Sequence, residues 1–208
     1  MKRYYVVMST SVAPPPPVTW SWLGGRPSLD LVNTLRERAR AARETLGTPA
    51  DLGAWLAAAG LAPDDAPPPA AVLEEARALR AAIDAVVTAV VAGAAAPRAA
   101  MTQIDDWLVH AGSRPRLHLG PEGLPLLGER PPADSPRRAL GTIALDAATL
   151  LGTPAERARL RICASDTCGT RFFDRSPAGA RRWCSMRTCG NEAKARRHRE
   201  RARPQEAG

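Results

Sequence analysis

The chain has 208 residues, of which 45% are apolar and only 4% aromatic. That suffices for one ordinary domain plus a small module, with a core of Ala, Leu and Val that favours helices. No apolar run approaches the ~18–20 residues of a membrane span, and a formal charge of +8 calls for an acidic partner.

The charge is unevenly placed. Residues 1–154 carry 15 basic and 15 acidic side chains, whereas residues 155–208 carry 14 and 6. All four cysteines, Cys163, Cys168, Cys184 and Cys189, also lie in that last quarter. Two independent counts therefore divide the chain near residue 154, into a neutral domain and a basic, Cys-bearing module.

Residues 1–19 read as a disordered leader. The apolar run Tyr4 to Met8 is shorter than the ~7–15 residues of an export signal, and the prolines at 14–17 favour a stiff extended segment. Met8 is a second candidate start. With no export signal read here, the expected compartment is the reducing cytoplasm.

Residues 20–152 form the expected helical domain. Ser28 is placed to cap a helix in which Leu29, Val32, Leu35 and Ala39 share one face. Thr48-Pro49-Ala50-Asp51 opens a second helix carrying Leu52, Trp55 and Leu56, and Gly60 closes it. A loop over 62–69 precedes a long helix from about Ala70 to Ala92, with Leu73, Leu79, Ile83, Val86, Val87 and Val90 inward. Another helix, Ala99 to His110, carries Met101, Ile104, Trp107 and Leu108. The period then changes: Arg116 to Leu119 alternates, Gly120-Pro121-Glu122-Gly123 turns, and Leu124 to Leu127 returns as a β-hairpin. Ser135-Pro136 restarts a helix through Leu140, Ile143, Leu145 and Leu150. Thr153-Pro154-Ala155-Glu156 is a capping box leading to a strand at Leu160-Arg161-Ile162. The fold class expected is mainly α (α+β).

Asp30 and Asn33, with Thr34, lie near an apolar stripe and are the candidate small-ligand site of this domain; local hydrogen bonding is the competing account. His110 and His118 are isolated and read as structural or surface residues. No phosphate loop, nucleophile elbow or paired catalytic carboxylates occur, so no catalytic residue is assigned and no enzyme is expected.

The cysteines read C-x4-C, fifteen residues, C-x4-C. Four thiolates match one tetrahedral structural Zn²⁺, with Gly169 and Gly190 where the backbone must bend around the ion. Two disulfides, an iron–sulfur cluster or unliganded core thiols are the alternatives. A module of about 45 residues has little core of its own. Phe172 and Phe173 with Trp183 and Met186 are expected to pack beside the metal, which supplies much of the folding free energy.

A basic helix follows Gly190 and stops at Pro204. A helical wheel gives three stripes: Asn191, Ala195, His198 and Ala202; Lys194, Arg197 and Arg201; Arg196, Arg199 and Arg203, with Glu192 near the last. The small stripe is expected to lie against the zinc knuckle. The basic stripes, with Arg181 and Arg182, are then free to meet nucleic-acid phosphates, DNA in preference to RNA.

Arg181-Arg182-Trp183-Cys184-Ser185-Met186 followed by Cys189-Gly190-Asn191 resembles the CGNR zinc finger, as do Cys163-x4-Cys168 and Phe173-x-Arg175-Ser176. Gly24-Gly25…Leu29-Asp30-Leu31-Val32-Asn33-Thr34 and Leu52…Trp55-Leu56 resemble the ABATE domain, which precedes that finger in bacterial proteins. The resemblance spans about residues 20–203 and implies a stress-induced transcription regulator whose finger binds DNA. It makes Cys163, Cys168, Cys184 and Cys189 zinc ligands and Asn191 a brace for the turn. Glu192 departs from the family's usual Arg; it suits a helix N-terminus and can pair with Arg196.

The combined expectation is a bacterial, cytoplasmic, nucleoid-associated regulator: a ligand-sensing or homodimerising domain at 20–152 and a zinc finger at 155–208. Two rivals remain. One is a small-ligand binder or enzyme centred on Asp30 and Asn33, with the finger as scaffold. The other is a zinc module that docks an acidic protein.

Overall fold

The structure, a computed structural model, describes residues 19–112, 114–130 and 135–202. The leader up to residue 18 lies outside them, as does Arg203. The fold is mainly helical with three small antiparallel hairpins, in agreement with the class expected. No helix among the described residues is long and apolar enough to cross a membrane.

Helix α1, Pro27–Val32, is six residues long rather than a helix continuing to Leu35 and Ala39. The Thr34 hydroxyl donates to the Leu31 carbonyl at 2.7 Å. The chain then turns into β1 (Leu35–Arg36), which pairs with β2 (Arg43–Glu44) across a turn where Glu37 has φ 53°. Ser28 is not the cap. It lies inside the helix, and its amide and hydroxyl both donate to Asp146.

Helix α2, Pro49–Ala58, begins as its sequence demands: the Asp51 amide donates to Thr48 Oγ1 at 3.2 Å and the Thr48 amide to the Asp51 carboxylate at 2.7 Å. Gly60, at φ 69°, follows its C-cap, a left-handed position that suits glycine.

Helix α3, Ala70–Val91, is the central element, burying Val72, Leu73, Ala76, Leu79, Ile83, Val86 and Val87 at helical spacing. Helix α4, Arg98–Trp107, continues into one tighter turn at Leu108–His110 and buries Ile104 but exposes Met101. Helix α5, Ser135–Gly152, buries Leu140, Ile143, Ala144, Ala147 and Leu150, while Leu145 faces out. A Cβ at Gly141 would fall 2.5 Å from the His110 carbonyl carbon, so glycine there lets the two segments touch. Together α1, α3, α4 and α5 enclose one apolar core with Trp55 and Leu56 of α2.

The expected hairpin forms between β3 (Arg114–Leu119) and β4 (Pro125–Arg130), with Leu117 opposite Leu127 and Leu119 opposite Pro125. It leaves Leu117, Leu119 and Leu127 exposed.

Helix α6, Pro154–Arg157, lacks the expected capping box: Thr153 makes no side-chain cap. Glu156 instead pairs with Arg26 at 2.9 Å, a long-range ion pair that competes for the carboxylate. β5 (Leu160–Ile162) pairs with β6 (Arg171–Phe173), Leu160 opposite Phe173. Leu160 is a member of the helical core and Phe173 packs on it. The Cys-bearing module is thus rooted in the first domain. A wide turn at Met186–Gly190 leads into α7, Asn191–Ala202.

Candidate metal centre and nucleic-acid interface

Each cysteine pair sits on one tight turn. In the first, the Cys163 amide donates to the Thr170 carbonyl at 2.8 Å and the Cys168 amide to Ser165 at 3.2 Å, with Gly169 at φ 69°. In the second, the Gly190 amide donates to Ser185 at 3.0 Å. An Ala164 to Arg182 bond of 2.9 Å ties the two turns together.

The four Sγ atoms all lie within 4.8 Å of one another, and Cys168–Cys184 and Cys184–Cys189 are each 3.7 Å apart. A Zn–S bond of about 2.3 Å makes the edge of a sulfur tetrahedron about 3.8 Å, so the set fits a single ion. All four are free thiols, too far apart for the ~2.05 Å of a disulfide. A cluster of several irons would need the sulfurs spread wider.

Protonation supports the same reading. Hydrogen bonds from Cys163 and Cys184, joined by the Thr170 hydroxyl at 3.0 Å, pull the Cys168 thiol far below its ordinary range. Contacts with Cys163 and Cys168, added to by burial, push Cys184 far up. Burial, then the charge at Cys168 and Cys163, pushes Cys189 up to about 11. Four sulfurs this close cannot all ionise alone; a divalent cation deprotonates them as a set. With four thiolates around it, Zn²⁺ has no open position and its chemistry is structural.

The core beside the metal is smaller than expected. Phe172, 1% exposed, packs with Cys163, Cys184 and Cys189, and Trp183 covers them. Phe173 belongs to the helical core instead, and Met186 faces solvent.

The arginines divide by what they touch. Arg181 lies over the Phe172 ring at 5.1 Å and donates to the Cys184 carbonyl at 2.7 Å, and its amide donates to Asp174 at 2.8 Å. It braces the second knuckle. Burial pushes the Asp174 carboxyl up, but the Arg181 amide, with the Ser176 hydroxyl and amide, outweighs it and holds it at about 2. Arg182 lies over Trp183 at 5.1 Å with its guanidinium exposed.

On α7 the side chain packed against the finger is Ala193, 6% exposed, while Asn191, Ala195 and His198 face solvent. This corrects the expected packing stripe. Helical spacing fixes which residues share a stripe but not which stripe faces the finger; Arg196 reaches Asp166 at 2.8 Å. Asn191 Nδ2 donates to the Arg187 carbonyl at 3.2 Å, bracing the turn. Lys194, Arg197, Arg199 and Arg201 are exposed and, among the described residues, have no carboxylate partner. Exposed Arg187 joins this surface. Its position between Cys184 and Cys189 was the signal that sequence reading passed over.

The candidate ligand residues are occupied internally. Asn33 donates to the Arg171 carbonyl at 2.8 Å and accepts from its amide at 2.9 Å. Asp30 accepts from the Gly24 amide at 2.8 Å; burial pushes its carboxyl up to about 6 against the pull of that amide. Thr34 accepts from Arg80 at 3.0 Å, and Arg80 pairs with Glu44. Asp84 joins Arg38 at 2.9 Å to Arg171 at 2.6 Å, another tie between α3 and the finger. A cleft of about 380 Å³ does separate the domain from the finger. Ser21, Leu35, Arg36 and Arg40 line one wall and Thr170, Cys168, Cys184 and Thr188 the other; Asn33 borders it, Asp30 does not.

Comparison with known families follows this division. Residues 25–154 match ABATE, described as "Putative stress-induced transcription regulator", and residues 159–202 match the CGNR zinc finger. A search of the curated proteins found no match to the chain. With more than half its length matching the first family, the chain belongs to the ABATE family and carries a CGNR zinc finger whose four cysteines fit one zinc ion.

Proposed function

We propose that the protein is a DNA-binding transcription regulator of the bacterial cytoplasm, without a catalytic step, that holds its basic helix in place with zinc. The observation that carries this is the exposed set Lys194, Arg197, Arg199 and Arg201, unpaired by carboxylates and mounted directly after Cys189. Clustered guanidinium and ammonium groups on one rigid element suit a phosphate backbone, and Arg182 and Arg187 extend the surface. Arg181 braces the second knuckle, and Arg196 pairs with Asp166. The helical domain, tied to the finger through Asn33 and Asp84, is the part that senses a ligand or partner; two copies acting together would double the DNA contacts.

Genome-wide DNA capture with the native chain and with Cys184→Ser tests the proposal. Recovery of defined sites by the native chain and their loss with the variant supports it. Capture of an acidic protein and no DNA would instead favour a docking module.

A further inference from the structure

The cleft between the domain and the finger reaches the metal ligands themselves: Cys168, Cys184 and Cys189 line it, and Cys163 does not. Three of the four cysteines are buried, and Cys168 alone is partly exposed. A closed structural zinc site protects its thiolates by burial, so a cleft that leaves Cys168 partly exposed is not explained by folding. Arg36 and Arg40 also line the cleft, as do the carboxylates of Glu37 and Glu192, so its lining is mixed in charge.

We propose that Cys168 is a peroxide-reactive sulfur, reached through this cleft, whose oxidation releases the zinc. The Cys168 thiolate attacks one oxygen of hydrogen peroxide. An S–O bond forms, the O–O bond breaks, and hydroxide leaves into the cleft. Sulfur is oxidised by two electrons and the peroxide is reduced. The Cys184 thiolate, 3.7 Å away, then attacks the Cys168 sulfur; an S–S bond forms and the S–O bond breaks, expelling a second hydroxide. Two thiolates and one peroxide become one disulfide and two hydroxides. The disulfide would consume two of the four sulfurs that would hold zinc, and Cys163 and Cys189 alone would not retain it. The consequence is local: α7 is attached through Cys189, while β5–β6 stays rooted in the helical core.

The inference rests on the zinc centre and does not depend on DNA binding. Its test uses the full zinc-loaded chain, hydrogen peroxide and a chromophoric zinc chelator. Peroxide should release one zinc per chain. Peptide mapping should find the early sulfenic adduct at Cys168 and the final bridge between Cys168 and Cys184. Ser21→Trp or Leu23→Trp, which narrow the cleft, should each slow peroxide-driven release at least fivefold while leaving release to chelator alone unchanged. Zinc retained under peroxide, a first adduct on another cysteine, or an unchanged rate in both folded variants would overturn the proposal.

Discussion

The carboxamide of Asn33 binds both backbone groups of Arg171, at 2.8 and 2.9 Å, and so acts as a one-residue neighbouring strand for β6. The side chain is 5% exposed, so removing it leaves a buried amide and a buried carbonyl with no replacement. Each such group costs about 1–3 kcal/mol. Asn33→Ala should therefore destabilise the chain by roughly 2–4 kcal/mol, and Asn33→Asp by more, since a carboxylate would face the Arg171 carbonyl. Urea unfolding monitored by circular dichroism reads this directly. A loss below about 0.5 kcal/mol, typical of a neutral surface change, would contradict the docking role.

The arginines that look alike in sequence should separate by experiment. Arg197→Ala with Arg201→Ala removes two exposed cations. The slope of log K against log salt for duplex DNA should then shrink by about 1.8, at ~0.9 for each phosphate no longer neutralised. Arg181→Ala should leave the slope unchanged but weaken zinc retention, because it loses the bond to the Cys184 carbonyl and its place over the Phe172 ring. Equal slopes for the native chain and the double variant would place the nucleic-acid interface elsewhere.

Why these two classes could not be told apart from sequence is a matter of phase and partner. The cysteine spacing required a turn at each pair, and the sulfurs meet because the ion demands four ligands; that much was legible. Helices α2 and α3 were legible too, through Thr48, Asp51 and a strict apolar period. The end of α1 was not. Leu35 and Ala39 continue the period, but Thr34 and Asn33 satisfy distant partners, and tertiary hydrogen bonds overrode local periodicity. The same holds for Thr153-x-x-Glu156, where Arg26 takes the carboxylate. In sequence Arg196 reads as a free cation because Asp166, thirty residues earlier in the chain, becomes its neighbour only after the finger folds.

Asp30 should make stability fall as pH rises. Burial pushes its carboxyl from the ordinary 3.8 to about 6, so the folded chain holds the proton more tightly than the unfolded chain. The resulting stabilisation is complete below the unfolded value and is lost as pH climbs through about 6, to an extent of at most about 3 kcal/mol. Asp30→Asn keeps an acceptor for the Gly24 amide and has no proton to lose. The native chain should therefore fall behind this variant by about 2–3 kcal/mol between pH 4 and 7. Paired urea titrations across that range measure the gap, and a gap that stays constant would show that Asp30 does not titrate there.

Zinc removal should dismantle only part of the finger. Leu160 lies in the helical core, Phe173 packs on it, and the Phe173 amide donates to the Gly24 carbonyl at 2.8 Å. None of these interactions needs the ion. The second knuckle has no such support: its buried neighbours are Cys163, Phe172 and the cysteines themselves, and among residues 191–201 of α7 only Ala193 is buried. Chelation should therefore abolish amide protection over 184–202, with loss of the α7 circular dichroism signal, while β5, β6 and α3 keep theirs. Hydrogen exchange with and without chelator resolves the two halves. Uniform loss across 160–202 would mean that β5 and β6 depend on the metal after all, and retained protection in α7 would mean that the helix stands without it.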